Sequence, residues 1–173
     1  MLLSSKIKPM KKILKIIVNP DPSLRKKSKI IADSDIKSKK MQELCFCMEK
    51  TMLVKDGIGL AAPQIGKGIR LIIINTKEGP VAMFNPKIIK NSWSKEVEEE
   101  GCLSVPNVFG DVKRFKKVSC EYKDSNAEKV CVEASGLMAR VIQHEIDHLD
   151  GILFIDKADN IKIVDPNKHK QNP

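Results

Sequence analysis

The stretch Ser135-Gly136-Leu137-Met138-Ala139-Arg140-Val141-Ile142-Gln143-His144-Glu145-Ile146-Asp147-His148-Leu149-Asp150-Gly151 decides how this chain is read. Ser135 is an N-cap residue type, residues 137–149 carry apolar side chains at helical spacing, and Gly151 supplies a stop. His144 and His148 stand four residues apart, so on a helix they lie one turn apart and about 40° around the axis. Both imidazoles then point the same way and can take neighbouring positions on one metal ion. Glu145 projects to the side, within reach of a water at that ion, as a general base does in HExxH hydrolases. The whole chain holds only three histidines. Two of them falling in this register by chance is the weaker explanation.

Two histidines do not hold a catalytic metal alone, and a third protein ligand leaves one position for water. Downstream the candidates are His169 near the C-terminus and the acids Asp150, Asp156, Asp159 and Asp165. Upstream, Cys102 sits in Glu100-Gly101-Cys102-Leu103-Ser104, beside a glycine that permits close backbone approach. On its own Cys102 would read as a small buried residue. The unusual segment and the missing ligand together favour a Cys–His₂ site made of Cys102, His144 and His148.

Outward from the late helix the pattern is mostly strand. Residues 69–75 form a nearly continuous, isoleucine-rich run expected to be a buried strand. Further strands are expected at residues 13–18, 81–84 and 87–89, and half-exposed ones at 112–115, 118–122 and 130–133. Asp33-Ser34-Asp35 is expected to cap a helix starting near Ile36, with Ile36, Met41, Leu44, Cys45, Met48 and Met52 on its apolar face. That spacing makes Cys45 a core residue, whereas Cys47 points elsewhere. The glycines and proline of residues 57–66 break this helix. Strands preceding one late helix, without regular alternation, give an α+β fold: mixed or antiparallel β-sheets packed around a central HExxH-bearing helix. Residues 12–156 are expected to be one catalytic domain, preceded by a basic leader at 1–11 and followed by a polar, Lys-rich tail at 157–173.

Composition narrows the classes. Hydrophobic residues make up 42% of 173, enough for a core without disulfides, and the five cysteines show no regular framework. That points to a reducing compartment. No apolar run approaches the roughly 20 residues of a membrane span. Lysines interrupt the apolar start, so secretion is not expected; the cytoplasm is the expected location. The absence of acids before Asp21 leaves organelle targeting as the lesser option, and Met10 is an alternative start. A net charge of +9 fits contact with nucleic acid, or simply a face of solvated lysines. The aromatic-plus-Arg pattern that reads bases is missing.

Three segments, in order, resemble the peptide deformylases: Gly57-Ile58-Gly59-Leu60-Ala61-Ala62-Pro63-Gln64, then Glu100-Gly101-Cys102-Leu103-Ser104, then Gln143-His144-Glu145-Ile146-Asp147-His148-Leu149-Asp150-Gly151. Residues 19–25 look like the family's N-terminal stretch as well, so the resemblance runs from about residue 13 to 155. It implies removal of the formyl group from the N-terminal formyl-methionine of nascent polypeptides, with release of formate. It implies metal ligation by Cys102, His144 and His148, and Glu145 as the base that later returns a proton to the leaving nitrogen. The backbone N–H of Leu103 and the side-chain amide of Gln64 would receive the oxyanion. Gly59 and Gly101 would let the peptide backbone run close by, and Ile58, Leu103, Leu137 and Val141 would line the methionine pocket. Glu100 and Arg114 match a pair kept near the metal cysteine, and Asp147 is expected to support a ligand histidine. Arg140 is expected to meet substrate or solvent.

The donor set by itself reads as zinc. The resemblance implies ferrous iron, with zinc, nickel or cobalt tolerated, and an oxidisable thiolate ligand implies activity lost in air. The expected enzyme is a monomer with a weak contact to the ribosome or its RNA and none to a membrane. An HExxH zinc metallopeptidase, with its third ligand downstream and no need of Cys102, is the alternative.

Overall fold

A computed structural model describes residues 12–165. Its elements run α1 (Asp33–Ile36), α2 (Lys39–Val54), β1 (Gly59–Ala61), β2 (Leu71–Thr76), β3 (Gly79–Asn91), β4 (Lys95–Cys102), β5 (Val105–Phe115), β6 (Lys117–Lys123), β7 (Lys129–Ser135), α3 (Gly136–Leu149) and β8 (Ala158–Ile163). Five strands form one sheet in the order β1-β2-β3-β6-β7, and three form a second in the order β4-β5-β8. Every pairing within the two sheets is antiparallel. The α+β expectation is met, with α3 packed against strands of both sheets.

The isoleucine run explains the layering. Side chains alternate across a strand, so Ile72 and Ile74 of β2 face α3, where they join Ala139, Ile142, Ile146 and Leu149. Leu71 and Ile73 face the other way, against Met48 and Met52 of α2 and Ile36 of α1. The large sheet is therefore covered on both faces at β2, which is why the run has no polar alternation. The smaller sheet has its own apolar cluster, in which Val105 and Val112 meet Leu24, Leu153 and Phe154.

Several expectations are corrected. Residues 13–18 join no sheet; their backbone N–H groups go singly to Thr51 Oγ1, from Leu14, and to the Gln64 carbonyl, from Ile17. A helix side chain and a carbonyl of a short 3-10 helix offer no ladder. The helix expected from Ile36 is two pieces: Asp33 opens α1 behind an Ala32 N-cap, and Ser38 starts α2, its hydroxyl accepting from Met41 N–H at 3.2 Å. The two segments expected at 81–84 and 87–89 are one strand, β3, with register shifts near Pro86. The acidic run at 96–100 is β4, despite poor intrinsic propensity, because it pairs with β5 along its whole length. The domain also continues past 156, since β8 pairs with β5 and the tail's first residues are part of the sheet. Residues 1–11 and 166–173, including His169, lie outside the described residues.

Candidate metal centre and catalytic cleft

Among the described residues one group of three His, Cys, Asp or Glu side chains can hold a metal: Cys102, His144 and His148, whose donor atoms all lie within 4.8 Å of one another. Cys102 ends β4, and the histidines share a face of α3, so the packing of helix on small sheet assembles the group. Cys102 Sγ is 3.2 Å from His148 Nε2. His144 Nδ1 is 2.9 Å from Glu100 Oε2, which leaves its Nε2 for a metal. The rings of His144 and Phe154 stack with centroids 6.3 Å apart.

Burial lowers His148 well below the usual imidazole range, so it is neutral and able to ligate. At His144 burial also pulls downward, but hydrogen bonds to Cys102 and Glu100 outweigh it and carry the ring up to about 10. A proton held there answers the surrounding negative charge. A divalent cation among the three donors answers the same charge, so metal and proton compete for one place. The soft thiolate, two imidazoles and the carboxylate behind one of them fit such an ion.

Glu100 is the pivot behind the ligands. Arg114 donates to both its oxygens, Nε to Oε1 at 2.8 Å and Nη2 to Oε2 at 2.9 Å. Arg140 Nη1 donates to Oε1 at 2.7 Å. Burial would raise this carboxyl, yet Arg114 and His144 hold it well below the ordinary carboxylate range. The Glu100–Arg114 pair expected from the sequence is thus present. Arg140 lines the cleft, and its buried guanidinium also bonds Glu98 at 3.0 Å and the Val112 carbonyl at 2.9 Å. Its place one helical turn before His144 was the available signal. Asp147 is corrected. Its carboxylate takes Arg114 Nη1 at 2.6 Å and Lys157 Nζ at 2.7 Å rather than a histidine.

A cleft of about 590 Å³ opens beside the three donors. Ile58, Gly59, Gly101, Leu103, Leu137 and Val141 all line it, as do Gln64 and Glu145. Ile58 and Leu137 are exposed, Val141 buried. Gln64 is held at both ends of its amide: Oε1 accepts from Ala61 N–H at 2.8 Å, so Nε2 is aimed at Ser104 Oγ, 3.2 Å away, and Cys102 Sγ, 3.4 Å away. Ser104, fully buried, escaped the sequence reading. Glu145 is 4% exposed, burial lifts its carboxyl to about 7, and its Oε2 has no hydrogen-bond partner among the described residues.

Gly59 has a role that the sequence hid. A Cβ there would run into the Glu145 carboxylate, with Cδ 2.7 Å and Cγ 2.8 Å away. The acid occupies the space left by the missing side chain. Gly101 does the same for the ring of Phe109, whose Cε1 lies 2.8 Å from the corresponding position.

The chain is similar over most of its length to known proteins of one family. A peptide deformylase of Desulfotalea psychrophila is 44% identical over 156 residues, covering 87% of this chain and 90% of the relative. The crystal structure of a Thermotoga maritima peptide deformylase is similar with a TM-score of 0.82 at 39% identity, over 86% of this chain and 99% of that one. A class I type b peptide deformylase of Acinetobacter baumannii, solved with Met-Ala-Ser bound, gives a TM-score of 0.81 at 33% identity, over 86% and 99%. The polypeptide deformylase family model matches residues 13–163, the span that carries both sheets, the cleft and all three donors. By sequence and by fold, this chain belongs to the polypeptide deformylase family.

Proposed function

We infer that this chain is a metal-dependent peptide deformylase that removes the formyl group from the N-terminal formyl-methionine of nascent polypeptides and releases formate. The observation that carries the reading is the convergence of Cys102, His144 and His148 beside a buried, unpartnered Glu145 in one cleft. Cys102 Sγ and the Nε2 atoms of His144 and His148 would hold the ion, which supplies Lewis acidity to water and to the formyl oxygen. Ferrous iron is the ion that the family resemblance favours, with zinc, nickel or cobalt as substitutes.

Glu145 takes a proton from the attacking water and hands it to the amine nitrogen as the carbon–nitrogen bond breaks. A carboxyl lifted to about 7 by burial is matched to both halves of that transfer. The developing oxyanion receives the Leu103 backbone N–H and the Gln64 amide, whose Nε2 is already oriented by the Ala61 N–H. Glu100, gripped by Arg114 and Arg140, fixes the ring of His144, and Asp147 fixes Arg114 in turn. Ile58, Leu137 and Val141 form the apolar side of the cleft and accept the methionine side chain, while Gly59 and Gly101 stand in its wall beside Glu145 and Phe109. That a relative's structure holds Met-Ala-Ser supports a peptide of this kind as ligand.

No helix of the described residues is long and apolar enough to cross a membrane. We propose further that the enzyme works as a cytoplasmic monomer, and close to ribosomal RNA, the last supported by its +9 charge. Cys102→Ala separates this account from a zinc metallopeptidase. The variant is expected to lose both the metal and formate release. Retention of metal together with cleavage of internal peptide bonds would refute the assignment.

A further inference from the structure

The turn between β3 and β4 contributes nothing to the lining of the cleft. Trp93, the chain's single tryptophan, sits there fully exposed, at 103% of its reference area. Among the described residues its side chain makes no hydrogen bond and packs into no apolar cluster. The turn is nonetheless firmly held. Ser92 N–H bonds the Lys117 carbonyl at 2.9 Å, Lys117 N–H bonds Ser92 Oγ at 3.2 Å, and Ser92 Oγ donates to the Ser94 carbonyl at 2.8 Å. Lys116 N–H bonds the Ser94 carbonyl at 3.1 Å. An indole is thus presented to solvent from an anchored backbone.

Its surroundings are basic and polar. Lys90 and Lys95 flank the turn on its own two strands, and Lys116 and Lys117 lie across from it, where Asn91 pairs with Val118 and Lys95 with Phe115. At its foot is a cavity of about 370 Å³ lined by Lys90, Asn91, Ser92, Lys117 and Ser119, with Glu133 the one acid in its wall.

We propose that this turn and its cavity form a contact site for single-stranded RNA. One base stacks on the Trp93 ring, and phosphates lie against Lys90, Lys95, Lys116 and Lys117. The hydroxyls and amide of the cavity take the remaining oxygens. A ring for stacking and lysines for charge, with no arginine among them to read base edges, make a sequence-tolerant site. A lipid surface fits less well, because the residues flanking the indole are serines and the cavity beneath it has Lys90, Asn91, Lys117 and Glu133 in its wall. β4 leads from Lys95 at this turn to Cys102, so the bound RNA would lie on the order of 23 Å from the metal donors.

Since Trp93 is the only tryptophan, its fluorescence in the full chain reports the contact directly. Titration with a short mixed-sequence single-stranded RNA is expected to quench it. With four phosphates neutralised, affinity should fall roughly 50-fold between about 50 and about 200 mM salt. By anisotropy of the labelled RNA, Trp93→Ala should weaken binding roughly 5- to 100-fold. The double variant Lys90→Glu, Lys117→Glu should also weaken binding and flatten the salt dependence. Hydrolysis of a small formyl peptide should be unchanged in all of these. An unquenched indole, or Trp93→Ala binding RNA as well as the parent, would overturn the proposal. So would a blue shift with anionic phosphatidylglycerol vesicles in place of any response to RNA, which would assign the turn to lipid.

Discussion

Glu145 occupies its place because residue 59 has no side chain: a Cβ there would meet Glu145 Cδ and Cγ at 2.7 and 2.8 Å. Two predictions belong to this contact. Glu145→Gln keeps the shape and the metal ligands but cannot move a proton, so kcat should fall by roughly 10²–10⁴ with metal content intact. Gly59→Ala leaves the acid in place chemically but displaces it, and a shift of about 1 Å acts on the scale of roughly 100-fold. Steady-state kinetics beside metal analysis checks both. Full activity in Gly59→Ala would show that Glu145 is not the proton carrier, or that its position is not critical. At this scale the sequence was informative where spacing alone determines geometry. His144, Glu145 and His148 sit on consecutive turns of one helix, so their relation could be read without a fold. The contact between Gly59 and Glu145 joins residues 86 positions apart (145 − 59) and could not.

The elements bring those residues together through charge as much as through apolar packing. Arg114 of β5 reaches Glu100 of β4 with two bonds and Asp147 of α3 with a third, tying the small sheet to the helix that carries the histidines. All of this lies buried or nearly so, with the Arg114 side chain 3% exposed. Arg114→Ala removes three bonds from this buried network but leaves Glu100 to Arg140 and His144 and Asp147 to Lys157, so it is expected to cost about 3 kcal/mol, the lower end of the penalty for breaking a buried pair from one side. Denaturant unfolding measures it, and a loss under about 1 kcal/mol would mean that the network relaxes to solvent. The Glu100–Arg114 pair was visible from the family resemblance, but the partners of Arg140 and Asp147 were not. Which neighbour a helical charge meets depends on the strand packed against it, and local sequence does not specify that. The acidic β4 escaped for a related reason: its partner β5, not its own composition, makes it a strand.

At the scale of the molecule, one helix lies against strands of two sheets, and the cleft opens where the small sheet's first strand ends beside that helix. Gln64, Cys102 and His144 reach the same place from three distant parts of the chain. The α+β class could be read from strand-like runs followed by one helix, and the doubly buried β2 from its unbroken isoleucines. The extension of the domain through β8 could not, because β8 is short, mostly exposed and joins the sheet only by its pairing with β5. The most direct test of the whole account is formate release from formyl-Met-Ala-Ser by the wild-type chain, loaded with ferrous iron and assayed without oxygen. The account predicts one formate for each free amine formed, with no internal peptide bond cut. A protein shown to hold its metal that releases no formate would contradict it.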